Sequence, residues 1–160
     1  MKEYLKERRL LIDLAIESYL GELKYPSVIA EGMKYAVLNG GKRLRPILLL
    51  MTLELFGVRK KKGVPMSVAI ELIHSYSLVH DDLPALDNDD YRRGKISTHK
   101  KFGEAAGILI GDALLTHAFN LITKEDIEPS KIVELISLTS NYAGINGMIG
   151  GQMVDIESEG

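Results

Sequence analysis

Five aspartates stand within ten residues, Asp81 to Asp90, in the segment DDLPALDNDDYRRG, and Arg92 and Arg93 follow directly before Gly94. So abrupt a reversal of charge suits a polyphosphate held by metal ions. Carboxylate oxygens are hard ligands that match Mg2+, which takes one or two protein carboxylates and completes its shell with water and phosphate oxygens. Neighbouring arginines can grip the phosphate oxygens that the metal leaves free. Composition alone also fits a solvated acidic turn, but the arginine pair and the position at the end of an apolar helix argue for a site. An EF-hand calcium loop fails in register: counted from Asp87, the required glycine position is Arg92 and the twelfth position is Thr98 instead of glutamate. A helical metal phosphohydrolase, suggested by His80-Asp81, would need a further histidine and a distant aspartate and leaves the arginine pair unexplained.

A second group is Gly40-Gly41-Lys42-Arg43-Leu44-Arg45-Pro46. Two glycines let the backbone approach an anion closely, and three cations follow within four residues. The spacing is not that of a Walker loop, and taken alone the stretch fits a helix C-cap followed by surface charge better than a phosphate site. On a helix, His74 and Asp81 lie seven positions apart, nearly on one face and about 10 Å apart along the axis. Asp87 would point about 120° away on a regular helix. Pro84 lacks a backbone donor and disfavours helix at Leu83, so a local bulge is expected that swings Asp87 back beside Asp81. His80 and His117 read as core residues and His99 as a surface one. Gln152 and Asp155, at i and i+3 after a glycine-rich entry, fit a site wall and an ordinary helix equally well.

The elements that must position these residues show helical periodicity nearly throughout. Leu10, Leu11, Leu14, Ala15 and Tyr19 suggest an apolar stripe closed by Gly21; a second helix starts near Pro26-Ser27 and stops at Asn39-Gly40-Gly41. A third runs from Arg45 to Phe56, ended by Gly57, and the basic stretch Arg59 to Gly63 reads as a solvated turn. A fourth begins at Val64-Pro65 and reaches the acidic cluster. Gly103 to Ile122 follows, with Ala105, Ala106, Gly107, Gly111 and Ala113 permitting close helix approach, and Pro129-Ser130 opens another helix to about Tyr142. No stretch sustains period-two alternation, so an all-α helical bundle without internal repeats is expected.

The 160 residues are a usual size for one domain or for part of one, with 46% hydrophobic and 26% charged residues. The net charge of −2 gives no global basic field for nucleic acid. Without cysteine there is no disulfide framework and no thiolate metal site. The N-terminus carries charges throughout and lacks the apolar core of a signal peptide; aliphatic runs such as Ile47 to Leu53 fall short of the roughly 20 residues that span a bilayer. No membrane span and a cytoplasmic location are expected.

GGKRLRP, ELIHSYSLVHDDLPALDNDDYRRG, FGEAAGILIGDALL and GGQMVD, in this order, resemble the successive signatures of the trans-isoprenyl diphosphate synthases, over residues 26 to 160. The acidic segment is similar to their first aspartate-rich motif. The resemblance implies the isoprenoid synthase fold and Mg2+-assisted ionisation of an allylic diphosphate, whose carbocation is attacked by the double bond of isopentenyl diphosphate. It implies that Asp81 and Asp87 bind Mg2+, with Asp82 as a supporting partner, and that Arg92 holds the allylic diphosphate. Lys42, Arg45, His74 and Arg93 would hold the diphosphate of isopentenyl diphosphate, while Gln152 and Asp155 line the site. Tyr76, five residues before Asp81, resembles the pocket floor of bacterial farnesyl diphosphate synthases, with Ser77 beside it, so farnesyl diphosphate is the expected product and geranylgeranyl diphosphate the alternative. A helical wheel puts Tyr76 about 140° from Asp81, so that assignment rests on the resemblance alone.

Members of that family are close to twice this length and carry a second aspartate-rich motif and a Lys-Thr segment that this sequence lacks. Residues 1 to 160 are therefore expected to form the N-terminal part of one isoprenoid synthase domain, with one wall of the metal clamp and no turnover by itself. The full-length enzyme is expected to be a homodimer. The alternative class is a helical partner or regulatory subunit without catalysis. Terpene cyclisation shares the ionisation step, but GGKRLRP argues for a second diphosphate.

Overall fold

The computed structural model describes residues 2–59 and 62–158. Lys60 and Lys61, the centre of the expected basic turn, lie outside the described residues. The described helices are α1 (Lys2–Gly21), α2 (Ser27–Leu38), α3 (Leu44–Leu55), α4 (Val64–Asp81), α5 (Thr98–Phe102), α6 (Glu104–Ile122), α7 (Pro129–Ala143) and α8 (Met148–Ser158). Between α4 and α5 lies an addition to the all-α expectation, a hairpin of β1 (Tyr91–Arg92) and β2 (Lys95–Ile96). The chain divides into two compact units, residues 1–124 and 125–160.

In the first unit α4 packs along α6 and is flanked by α1, α2 and α3. Val68, Ala69, Leu72, Tyr76 and Val79 of α4 and Ile110, Leu114, Ala118, Leu121 and Ile122 of α6 form the heart of the core. Each fully buried leucine or isoleucine contributes about 1.5–3 kcal/mol before ordering costs. The closeness of the two helices depends on Gly111: a Cβ there would lie 2.1 Å from His80 Nε2. With hydrogen in that place, His80 Nε2 reaches the Ile108 carbonyl at 3.0 Å. α6 is the one helix among the described residues whose length and hydropathy would suit a bilayer, yet it serves here as a packed core helix.

Helix punctuation follows proline and glycine. Pro65 sits in the first turn of α4 behind Gly63, which takes the left-handed conformation at φ 82°. Pro26, in contrast, is the N-cap of α2 and not a residue of its first turn. The stripe of α1 also differs from expectation. Its buried residues are Arg8, Ile12, Ile16 and Leu20, four apart, whereas Leu10 and Leu14 are 59% and 55% exposed. This helix is apolar on more than one side, so periodicity alone could not choose the face that packs.

The hairpin is too short for an alternating pattern to register. Its turn residues Arg93 and Gly94 both have positive φ, 54° and 77°, as a two-residue turn of mirror-image type requires. Tyr35 of α2 fastens it, donating its hydroxyl to the Ile96 carbonyl at 2.7 Å. In the second unit, α8 takes Gly150 and Gly151 into the helix itself, where the sequence suggested a glycine-rich entry ahead of it.

Candidate functional site

α4 ends at Asp81, and the chain then doubles back in place of the expected bulge. Leu83 N–H bonds to the His80 carbonyl at 3.0 Å, Leu86 and Asn88 both donate to the Leu83 carbonyl at 2.9 and 3.1 Å, and Asn88 turns through φ 53°. Pro84, with no donor to continue the helix, sits at the start of this turn. Asp87 N–H thereby meets the Asp81 carbonyl at 2.8 Å. Burial pushes the Asp81 carboxyl up from its ordinary value, and the charge of Asp87 pushes it further. The two carboxylates thus act on each other, which is the setting in which a divalent cation is welcome. Among the described residues no group of three or more histidine, aspartate or glutamate side chains forms a full metal cage. A pair of hard oxygen donors fits Mg2+, which habitually takes only one or two protein carboxylates.

Asp82 faces the other way and is buried, at 2% exposure. Burial raises its carboxyl, and the hydrogen bonds from Arg92 work against that shift. Arg92 Nε donates to Asp82 Oδ1 at 2.7 Å, its Nη2 contacts the same oxygen, and Nη2 also meets Asp89 Oδ2 at 3.2 Å. Its Nη1 takes part in none of these bonds.

Arg93, its neighbour across the hairpin turn, goes to a different place. Its Nη1 donates to the Gly40 carbonyl at 2.5 Å and its Nη2 lies 3.4 Å from His74 Nε2. There it joins a cleft of about 540 Å3 lined by Arg9 of α1, residues Asn39 to Arg45 of the α2–α3 loop and the start of α3, Glu71 and His74 of α4, and Arg93. Lys42 and Arg45 are exposed at this cleft, whereas Arg43 between them is buried. His74 is held down to about 4, first by burial and then by the charges of Arg45, Arg93 and Arg43, so it is a neutral imidazole at pH 7. Gly41 has to be glycine twice over: its φ is 121°, and a Cβ would lie 2.5 Å from Arg93 Nη1 and 3.2 Å from Arg43 Nη1.

The structure therefore brings Lys42, Arg45, His74 and Arg93 to one cleft, and Asp81 to Asp87 in one turn. Tyr76 is buried and stacks edge-on against His80, centroids 5.7 Å apart. Ser77 donates its hydroxyl to the His74 carbonyl of its own helix at 2.9 Å. Gln152 and Asp155 lie in α8 of the second unit, three residues apart. His99 overturns the surface reading: it is 3% exposed, with Nδ1 3.2 Å from Ser97 Oγ. The hairpin and α5 fold it inward, a long-range effect that its polar neighbours conceal. Sequence reasoning also missed Arg9 and Glu71 in the cleft wall. Glu71 did leave a signal, as a lone acid inside the apolar run VPMSVAIELI.

The family described as polyprenyl synthetase matches residues 26–160. The chain is 47% identical over 163 residues to a farnesyl diphosphate synthase of Geobacillus stearothermophilus, covering 100% of this chain and 55% of that protein. It is 42% identical over 159 residues to geranylgeranyl pyrophosphate synthase 4 of Arabidopsis thaliana, covering 99% of this chain and 42% of that protein. Among solved structures, an apo FPP/GFPP synthase from Zymomonas mobilis superposes with a TM-score of 0.93 at 41% identity, over 99% of this chain and 58% of that one. The chain thus spans about half the length of the relatives it matches.

Proposed function

The chain belongs to the polyprenyl synthetase family, and from that premise we propose that it supplies the substrate-binding first half of a short-chain prenyl transferase. The reaction condenses isopentenyl diphosphate with an allylic diphosphate, dimethylallyl or geranyl, and the product is farnesyl diphosphate. One observation carries the reading. Lys42, Arg45, His74 and Arg93, drawn from a loop, two helices and a hairpin turn, line a single cleft, and the hairpin that supplies Arg93 sets Arg92 against the acidic turn.

In this reading the cleft holds the diphosphate of isopentenyl diphosphate. Lys42, Arg45 and Arg93 contribute charge, and the neutral His74 contributes a directional hydrogen bond. Asp81 and Asp87 would hold Mg2+, which when bound supplies positive charge to a diphosphate leaving group. Arg92, braced by Asp82 and Asp89, keeps Nη1 for the allylic diphosphate. As the allylic C–O bond breaks, the diphosphate leaves with the electron pair. The double bond of isopentenyl diphosphate then attacks the carbocation and a proton is lost. Cations already fixed in place stabilise the developing anion without reorganising. Tyr76 closes the hydrocarbon pocket below Asp81. Homodimer formation and a cytoplasmic location belong to the same reading.

The test is incorporation of labelled isopentenyl diphosphate into a longer allylic product with Mg2+, by this chain and by any longer protein that contains it. Consumption of geranyl diphosphate without such incorporation would rule out elongation. A geranylgeranyl product would favour the second reading, which the similarity to a geranylgeranyl pyrophosphate synthase supports.

A further inference from the structure

Arg43 lies between Lys42 and Arg45 in the basic loop, yet only 3% of its surface is exposed. Its guanidinium donates through Nε to Asp13 Oδ1 at 2.7 Å, through Nη1 to Glu71 Oε1 at 2.8 Å and to the Gly40 carbonyl at 3.0 Å, and through Nη2 to the Val37 carbonyl at 2.9 Å. One planar fork thus ties together α1, the end of α2, the loop and α4. An ammonium group, a point charge on a flexible stem, cannot reproduce that span. The backbone of Arg43 is left-handed, at φ 53°, a conformation that side-chain-bearing residues keep only where the surroundings impose it. Glu71 is equally buried, at 2% exposure, and a carboxylate so placed is strongly destabilising without its partner.

We infer that Arg43 is the positioning residue of the diphosphate cleft: anchored by Glu71 and Asp13, it fixes the loop so that Lys42 and Arg45 face His74 and Arg93, and it binds no substrate itself. The inference rests on the diphosphate reading of the cleft given above. It reverses the sign that simple electrostatics gives. Glu71 lines the cleft, so Glu71→Gln removes a negative charge from the wall of an anion site, which by Coulomb attraction alone should tighten anion binding. If the pair positions the loop, the same change loosens it.

The experiment titrates inorganic diphosphate into the full chain by calorimetry and follows the backbone amide signals of Gly40 and Gly41 by NMR. Glu71→Gln and Arg43→Lys are each expected to weaken binding by about tenfold, the order of one lost charge-assisted hydrogen bond, and to shift both amide signals. The double variant should be no weaker than the poorer single one, because both changes act through one pair. Binding that is unchanged or tighter overturns the inference, as does weaker binding with both signals at their original positions. A purely architectural role would lower the melting temperature and leave the affinity of the folded protein intact. If Glu71→Gln does not fold, Asp13→Asn takes its place with the same criteria, since Asp13 lies outside the cleft wall and is partly exposed. Absence of diphosphate binding by the unsubstituted chain would defeat the functional reading instead. The amide signals alone would then decide whether Arg43 orders the loop.

Discussion

Asp87 returns its backbone N–H to the carbonyl of Asp81 at 2.8 Å, six residues back along a helix that has already ended. That single bond brings Asp87 back to the end of α4, and its charge raises the Asp81 carboxyl beyond what burial does alone. Replacing Asp87 with Asn should therefore bring the Asp81 carboxyl down toward its ordinary value, measured by NMR titration. In the whole enzyme Asp81→Ala should lower turnover by about 10²- to 10³-fold, the range for removing a stabiliser of a developing anion. An unchanged turnover number would take Asp81 out of that role.

His74 supplies the pH dependence. Its value is about 4 in the folded chain against 6.5 ordinarily, so between these limits the unfolded chain binds more protons than the folded one. Its contribution to stability is thus complete above about 6.5 and lost as pH falls toward 4. The urea midpoint of the unsubstituted chain should fall more steeply over this window than that of His74→Ala. Inorganic diphosphate should raise the histidine's value, because an anion offsets the three arginines that depress it. In the whole enzyme, His74→Ala should weaken isopentenyl diphosphate binding more than allylic binding, and equal losses would contradict the assignment.

The Gly40-Gly41 pair separates conformational strain from contact. Both have positive φ, 96° and 121°, but a Cβ on Gly40 meets nothing within 4 Å whereas one on Gly41 meets two guanidinium groups. Gly40→Ala should cost about 1–3 kcal/mol of stability through its backbone alone. Gly41→Ala should carry a similar cost and also push Arg93 and Arg43 aside. Diphosphate affinity, read by calorimetry, should fall by about tenfold for Gly41→Ala only. Equal affinities for the two variants would contradict the geometry.

What could be read from the sequence follows the range of the interactions. Pro84 foretold that Asp87 would come back to Asp81, because one missing donor acts locally. Gly111 likewise foretold a close helix contact. The division of the arginine pair was hidden: that Arg92 turns to Asp82 and Arg93 to Gly40 is decided by a two-residue turn and by partners 10 and 53 residues away. Of three cations in GGKRLRP, the one that folds inward is chosen by Asp13 and Glu71, 30 and 28 residues distant. Resemblance left Arg43 off the substrate set, and in the structure its guanidinium is engaged by Asp13, Glu71 and the Gly40 and Val37 carbonyls.

Tyr76 offers the test of product length. The wheel puts it well away from Asp81, yet it is 5% exposed, buried against His80, and its hydroxyl is raised first by burial and then by the charge of Asp81. The ring therefore sits in the core close enough to sense the carboxylate at the helix end. Tyr76→Ala should open space there and lengthen the product of the whole enzyme, at a stability cost of about 3–5 kcal/mol, as for other buried aromatic truncations. Tyr76→Phe keeps the ring and should keep the product. Ser77, whose hydroxyl is spent on its own helix, should tolerate Ala without effect, whereas Ser77→Phe should shorten the product. Chromatography of the extracted alcohols decides: farnesyl output that persists in Tyr76→Ala means the floor lies elsewhere.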